Sequence, residues 1–334
     1  MSASSTRALA PYARPRLDRG LLDVATSVVP YLLLMAAMVA LVPVFYPLAL
    51  LLAVPAAGFQ LRTFIVFHDC AHGSFLPSRR ANQWLGRAVG LLVWTPFAAW
   101  RHSHAQHHAS AGDLDRRGDG DVRTLTVEEY RAAPWRSRVA YRLMRHPAIM
   151  FTLGPLYAMV LKPRIPLRSM RPRIRHSVLL TDLAMAAVAA GFCLLFGWST
   201  LLLVQLPMIV LTGGAGVWLF FVQHQFEDAY WEHADGWSYD DAALRGSSYL
   251  KLPQPLQFLT GNIGLHHVHH LSARIPNYNL QAAHDGNSVF RSVPVLTLRQ
   301  GLRATRLKLW DERARRLVTF AEGRRLSAPT AAGG

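Results

Sequence analysis

The chain has 334 residues, of which 51% are hydrophobic and only 17% charged, where a soluble domain carries about 25% charged residues. Its net charge of +16 invites a nucleic-acid reading, but the basic residues flank long uncharged stretches instead of forming one patch, which excludes it. The two cysteines, Cys70 and Cys193, support neither a disulfide framework nor a thiolate metal site.

Residues 1–20 read as a polar, basic arm carrying Arg7, Arg14, Arg16 and Arg19, poorly ordered until it meets a membrane. The following apolar run is too long for a signal-peptide core, so no cleavage is expected. Residues 24–61 are uncharged and long enough for two passes at about 20 residues each. Pro43 and Pro47 punctuate that run, so residues 22–66 read as a helical hairpin whose second helix runs out of the bilayer into His68. Residues 67–176 begin a cap on the membrane. Within it, Ala88–Trp100 and Pro147–Leu161 are too short to span and read as interfacial segments along the cytoplasmic leaflet. Between them, the Gly-, Asp- and Arg-rich stretch Ser110–Arg123 reads as a flexible, solvated loop.

The second uncharged run, residues 183–226, is broken at Gly197-Trp-Ser-Thr200 and gives a second hairpin over residues 177–223. Gly213, Gly214 and Gly216 in its second helix allow a helix or a substrate chain to approach closely, ordinary helix packing being the simpler use. Residues 224–290 complete the cap, and residues 291–334 form a basic tail. Neither hairpin tip carries a basic residue. The positive-inside rule therefore places both termini and the cap in the cytoplasm, with a bacterial inner membrane the expected location. The predicted fold is an all-α membrane protein: four transmembrane helices in two hairpins, interfacial helices, and a histidine-rich cytoplasmic cap.

Three histidine clusters carry the chemistry: His68-Asp-Cys-Ala-His72, His104-Ala-Gln-His107-His108 and His266-His-Val-His269-His270. Residues i, i+3 and i+4 share a helix face, so each cluster can aim its nitrogens at one point. Adjacent histidines such as His107 and His108 diverge by roughly 100° on a helix, so one cluster could serve two neighbouring metals. Imidazole suits iron, zinc, copper and nickel. The zinc-peptidase pattern HExxH is absent, and so is the ExxH arrangement of soluble carboxylate di-iron bundles. An all-nitrogen di-iron centre fits best. It would bind O2 and, with two external electrons, yield an oxidant for unactivated C–H bonds. The chain has no Rossmann fingerprint, haem-attachment motif or fused cytochrome b5 domain, so a separate donor protein is expected.

With these boxes, the chain resembles the membrane fatty acid desaturases, and within them the acyl-lipid omega-6 (delta-12) type. The resemblance covers roughly residues 25–290. It rests also on Val222-Gln-His224-Gln-Phe-Glu227-Asp228-Ala-Tyr-Trp231 and on Gly261-Asn-Ile-Gly-Leu-His-His-Val-His-His-Leu-Ser-Ala-Arg-Ile-Pro-Asn-Tyr-Asn279. It implies two iron ions, acting with O2, on His68, His72, His104, His107, His108, His266, His269 and His270. It also implies a ninth ligand at His224 and a metal-bound water held by Asn262, for which a helix-cap role is the plain alternative. The reaction it implies is desaturation of a lipid-linked acyl chain at delta-12, with electrons from a ferredoxin, rubredoxin or cytochrome b5. Ligand histidines usually donate their second N–H to a carboxylate or carbonyl, and Asp69, Glu227 and Asp228 are the candidates, with surface charge the alternative.

His146, His176, His233 and His284 read as surface or packing residues, and His102 and His267 fall outside the box register. Arg274, Ile275, Pro276 and Tyr278 match the family pattern beside the third box and are candidates for shaping the substrate entrance. Trp84, Trp94, Trp100, Trp231 and Trp237 fit an interfacial belt better than a tunnel lining. The same centre could instead serve acyl hydroxylation, epoxidation or carotenoid oxygenation. A metal transporter is disfavoured, because its ligands belong near the bilayer midplane, whereas these lie at helix ends and beyond.

Overall fold

A computed structural model describes residues 7–117 and 122–326 and is mostly helical. Four helices, Leu17–Leu41, Tyr46–His72, Pro172–Phe196 and Trp198–His224, are long and apolar enough to cross a membrane. We number them as the first to fourth spans. They form the two expected hairpins. Val42–Phe45 joins the first pair, and Gly197 alone, at φ 83°, reverses the chain between the second pair. That left-handed conformation is one that glycine reaches without a Cβ clash. The outward faces are apolar: Leu194 is 88% and Leu195 77% exposed, as lipid contact requires.

The second span is the central one. Its small residues Ala49, Ala53, Ala56 and Ala57 bury against Tyr31 and Met38 of the first span and Val204 and Met208 of the fourth. Buried polar bonds fix the register at mid-depth: Thr212 Oγ1 donates to Gln60 Oε1 (2.7 Å), and Gln60 Nε2 donates to Tyr31 Oη (3.1 Å). The span then runs unbroken past the apolar zone to carry His68 and His72.

The two short apolar stretches fold as follows. Ala88–Trp100 is split at Trp94 (φ 54°) between helices Arg79–Leu92 and Phe97–Ser110. Pro147–Leu161 is a helix to Pro155 that continues as a π-helical turn. Its close partner is the fourth span: a Cβ on Gly213 would lie 2.6 Å from Pro155 Cβ, and one on Gly214 2.7 Å from the Phe151 carbonyl oxygen. The glycines thus serve helix packing.

Two expectations need correction. The arm is ordered from Arg7: Leu9 is buried with Leu265, Val268 and Ile275 beneath the third box, while residues 1–6 lie outside the described residues. The stretch from Ser110 is packed, with Ala111, Asp113 and Leu114 buried and Leu114 N–H donating to the Glu232 carbonyl (2.9 Å), although residues 118–121 are not described. The tail to residue 326 is woven into the cap. Strand Leu309–Asp311 pairs in parallel with Leu125–Thr126 (Leu125 opposite Leu309) and antiparallel with Arg316–Val318 (Leu309 opposite Val318). Val295–Thr297 likewise runs parallel to Tyr249–Lys251. Trp310 and Leu317 bury against Leu114, Phe226 and Trp231.

Candidate metal centre

Nine histidines converge where the second and fourth spans leave the apolar zone, and they do so as two groups. His68, His72, His104, His108 and His269 form one; His107, His224, His266 and His270 form the other. Within each group the ligand atoms lie within 4.8 Å of one another. The division follows from helix geometry. His104 and His108 are one turn apart on Phe97–Ser110 and share a face, while His107 is turned toward the other group. On His266–Leu271 the same rule keeps His266 with His270 and sends His269 across. Each HxxHH cluster therefore serves both groups.

The nitrogen spacing fits a cation. His68 Nε2 lies 3.0 Å from His104 Nε2, His104 Nε2 3.1 Å from His108 Nε2, and His108 Nε2 2.9 Å from His269 Nε2. In the second group His224 Nε2 is 3.0 Å from His266 Nε2, and His107 Nε2 is 3.2 Å from His270 Nε2. Two nitrogens bound about 2.1 Å from one ion at right angles lie about 3 Å apart. Direct hydrogen bonding does not account for the first group. Each Nε2 offers one proton or one lone pair, yet His104 and His108 each have two Nε2 neighbours, so at least one contact stays unbonded. His72 Nε2 is also buried with no hydrogen-bond partner among the described residues. A cation accepting all the lone pairs satisfies every nitrogen at once.

The protonation states agree. Burial, reinforced by neighbouring imidazoles, holds His104, His108, His266, His269 and His270 well below the usual histidine range. They are kept neutral, the form that binds metal. Two tautomers are set from behind. His68 Nδ1 lies 2.9 Å from Asp69 Oδ1, and His224 Nδ1–H donates to the Gly246 carbonyl (3.1 Å). A carbonyl only accepts, so His224 presents a bare Nε2 to its group.

Other sequence-predicted residues fall elsewhere. Glu227 and Asp228 are exposed, and Glu227 pairs with Arg316 (2.6 Å), so both face solvent and neither backs a histidine. Asn262 is half-buried at φ 59°, its amide donating to the Asn277 carbonyl (3.2 Å). His102 is exposed, while His267, pushed down to about 3 by burial, lies 2.9 Å from His284 Nδ1 and belongs to neither group. Trp84 is exposed as a belt residue would be, but Trp231 and Trp237 belong to the cap. Trp100 stacks on His104 with ring centroids 4.3 Å apart. Its position one turn before His104 was the signal that could have revealed it. Gly246 and Asn277 carry no such local signal.

A family model described as fatty acid desaturase matches residues 9–291. A fatty acid desaturase of Bacillus subtilis (strain 168) is 46% identical over 94% of this chain and 90% of its own length. Two proteins of Synechocystis are similar over 66% of this chain: an sn-1 acyl-lipid omega-3 desaturase (ferredoxin), 29% identical over 62% of its length, and an sn-1 oleoyl-lipid 12-desaturase, 28% identical over 63% of its length. The chain thus spans less than two thirds of the length of these last two.

Proposed function

We infer the reaction from one premise: the chain belongs to the fatty acid desaturase family and is an oxidoreductase of the membrane. We propose that it removes one hydrogen from each of two adjacent carbons of a lipid-linked acyl chain, with O2 and two electrons from a separate donor protein. The balance is –CH2–CH2– plus O2, two electrons and two protons, giving –CH=CH– and two waters. The observation that carries this reading is the convergence of nine imidazoles into groups of five and four.

The nine histidines would hold two iron ions, which when bound supply O2 activation and hydrogen abstraction. The rest of the work falls to the chain itself. Asp69 and the Gly246 carbonyl hold Nδ1 protons in place, so His68 and His224 keep their Nε2 atoms turned inward. Trp100 over His104 and Phe220 beside His107 (4.9 Å) wall the centre with carbon and exclude water, which protects a reactive oxidant from side reactions.

The residues 261–279 favour delta-12 (omega-6) as the position, and the 12-desaturase relative supports it. A ferredoxin suits as donor, as the name of the omega-3 relative indicates for that protein, with a rubredoxin or cytochrome b5 as equivalents. The basic arm, central loop and tail support a cytoplasmic cap in a bacterial inner membrane. We propose residues 21–290 as the desaturase unit, against which the arm from Arg7 and the tail to residue 326 pack.

The test is the fatty acid profile of a host membrane expressing the chain with a ferredoxin system, read by gas chromatography–mass spectrometry after double-bond derivatisation. A new diene absent from the His107→Ala control is expected, and the derivative fixes its position. A hydroxylated or epoxidised chain would overturn the reaction type, and a double bond elsewhere would overturn delta-12 alone.

A further inference from the structure

Two charges sit inside spanning helices, where hydrocarbon penalises them: Asp23 of the first span and Arg62 of the second, exposed by only 5% and 8%. The Arg62 guanidinium is paired with Asp23 Oδ1, donates to the Phe258 carbonyl, and lies 4.0 Å over the Phe258 ring. Neutralising each other does not explain why the pair is placed here. The second oxygen of Asp23 points to the answer, because Oδ2 accepts the side-chain amide of Asn277 (2.9 Å). The backbone N–H of Asn277 in turn donates to Asp69 Oδ2 (2.6 Å), whose other oxygen meets His68 Nδ1 (2.9 Å).

We infer that Asn277 is a positioning residue for His68, clamped by the Arg62–Asp23 pair so that its N–H fixes the Asp69 carboxylate. The inference rests on the proposed metal centre. Asp69 is the acidic neighbour of His68, and a carboxylate with one fixed oxygen can still rotate about its last torsion, a soft and broad one. The Asn277 N–H removes that freedom, and the imidazole plane follows. Asn277 is itself held on both sides of its peptide: its amide is bound to Asp23, its carbonyl accepts from Asn262, and the next residue, Tyr278, donates its hydroxyl to the Phe75 carbonyl (2.9 Å). Every link from Asp23 to His68 is buried. The first span, which supplies no histidine, thereby reaches a ligand of the five-membered group.

The experiment uses the full-length chain in detergent, loaded with 57Fe(II) alone and read by iron titration and Mössbauer spectroscopy. Asn277→Ala should keep the parent's helical content and its iron on His107, His224, His266 and His270. Affinity at the group containing His68 should fall about tenfold, the lower end of the range for outer partners of a ligand, and the quadrupole doublet of that site should change. Asp69→Asn should do the same, and the double variant should lose no more than Asp69→Asn alone, because both act along one path. If Asn277→Ala does not fold, Asn277→Asp, which keeps the volume and the backbone N–H but sets a carboxylate against Asp23, should show the same selective loss. Unchanged affinity and doublets in a folded variant would overturn the inference, as would losses that add in full. A parent chain that binds no iron would overturn the metal-centre reading, and the inference with it.

Discussion

The interior of the cap and its outer surface use the same side chain for opposite ends. Inside, nine imidazoles crowd together, and burial holds His104, His108, His266, His269 and His270 neutral. Outside, His233 stands between two carboxylates, its Nε2 3.0 Å from Glu312 and its Nδ1 2.9 Å from Asp115, which raise it to about 9 and keep it protonated. Surroundings, not residue type, decide whether a histidine here is a neutral base or a cation. The interior set should therefore be sensitive to loss of any one member, and the surface residue should respond to pH and salt.

The largest effect should come from the interior. His269→Ala and His107→Ala each remove an imidazole from a different group. Each should abolish turnover while leaving the chain inserted, and each should lower bound iron by about half, since the partner group stays intact. Iron analysis of membrane-extracted protein checks this, and full activity in either variant would break the ligand assignment. His224→Ala comes next. Iron affinity of the four-membered group should fall by at least about a hundredfold, beyond what losing an outer partner costs. An iron titration indistinguishable from the parent would reduce His224 to a packing residue.

A smaller effect is expected where the interior meets its wall. Trp100 is half-buried and stacks on His104. Trp100→Ala should cost about 2 kcal/mol of stability, below the roughly 3–5 kcal/mol of a fully buried Trp→Ala change, and lower the rate severalfold while iron stays bound. Thermal unfolding in detergent, alongside iron content, separates loss of the wall from loss of a ligand.

How much of this was legible in the sequence depends on the range of each signal. The spans and the two-way division of each HxxHH cluster follow from helix length and from 3.6 residues per turn, both local, so they could be read. The partner of His224 is a carbonyl 22 residues away, on a turn packed against the fourth span. A carbonyl belongs to every residue and leaves no mark in a sequence. Glu227 and Asp228 were plausible as histidine partners by proximity in the chain. The bend after Gln225 turns both outward, toward Arg316 in the case of Glu227. The Ser110–Arg123 stretch looked solvated because its composition is polar, yet Asp113 is buried by pairing with Arg116 (2.6 Å) and by the neighbouring Glu232 segment. Composition reports what a segment is made of, and tertiary contacts decide what covers it.

The smallest effect, and the sharpest contrast with the interior, is expected at His233. Its bonds to Asp115 and Glu312 tie the stretch after helix Phe97–Ser110 to the turn after Asp311, so they favour the folded state only while the imidazole is charged. The folded pKa, about 9, lies above the unfolded value of about 6.5. The native state therefore binds the extra proton between them, and stability falls as pH rises through that window. The contribution is complete below about pH 6.5 and gone above about pH 9. The side chain is half exposed, so screening by water and salt limits it to the few tenths of a kcal/mol usual for surface ion pairs. His233→Gln should accordingly leave turnover and iron unchanged, lower the unfolding temperature slightly at pH 6, and leave it equal to the parent at pH 9.5. The difference at pH 6 should shrink in high salt. A pH-independent loss would assign the effect to packing, and a loss of iron would place His233 with the interior set after all.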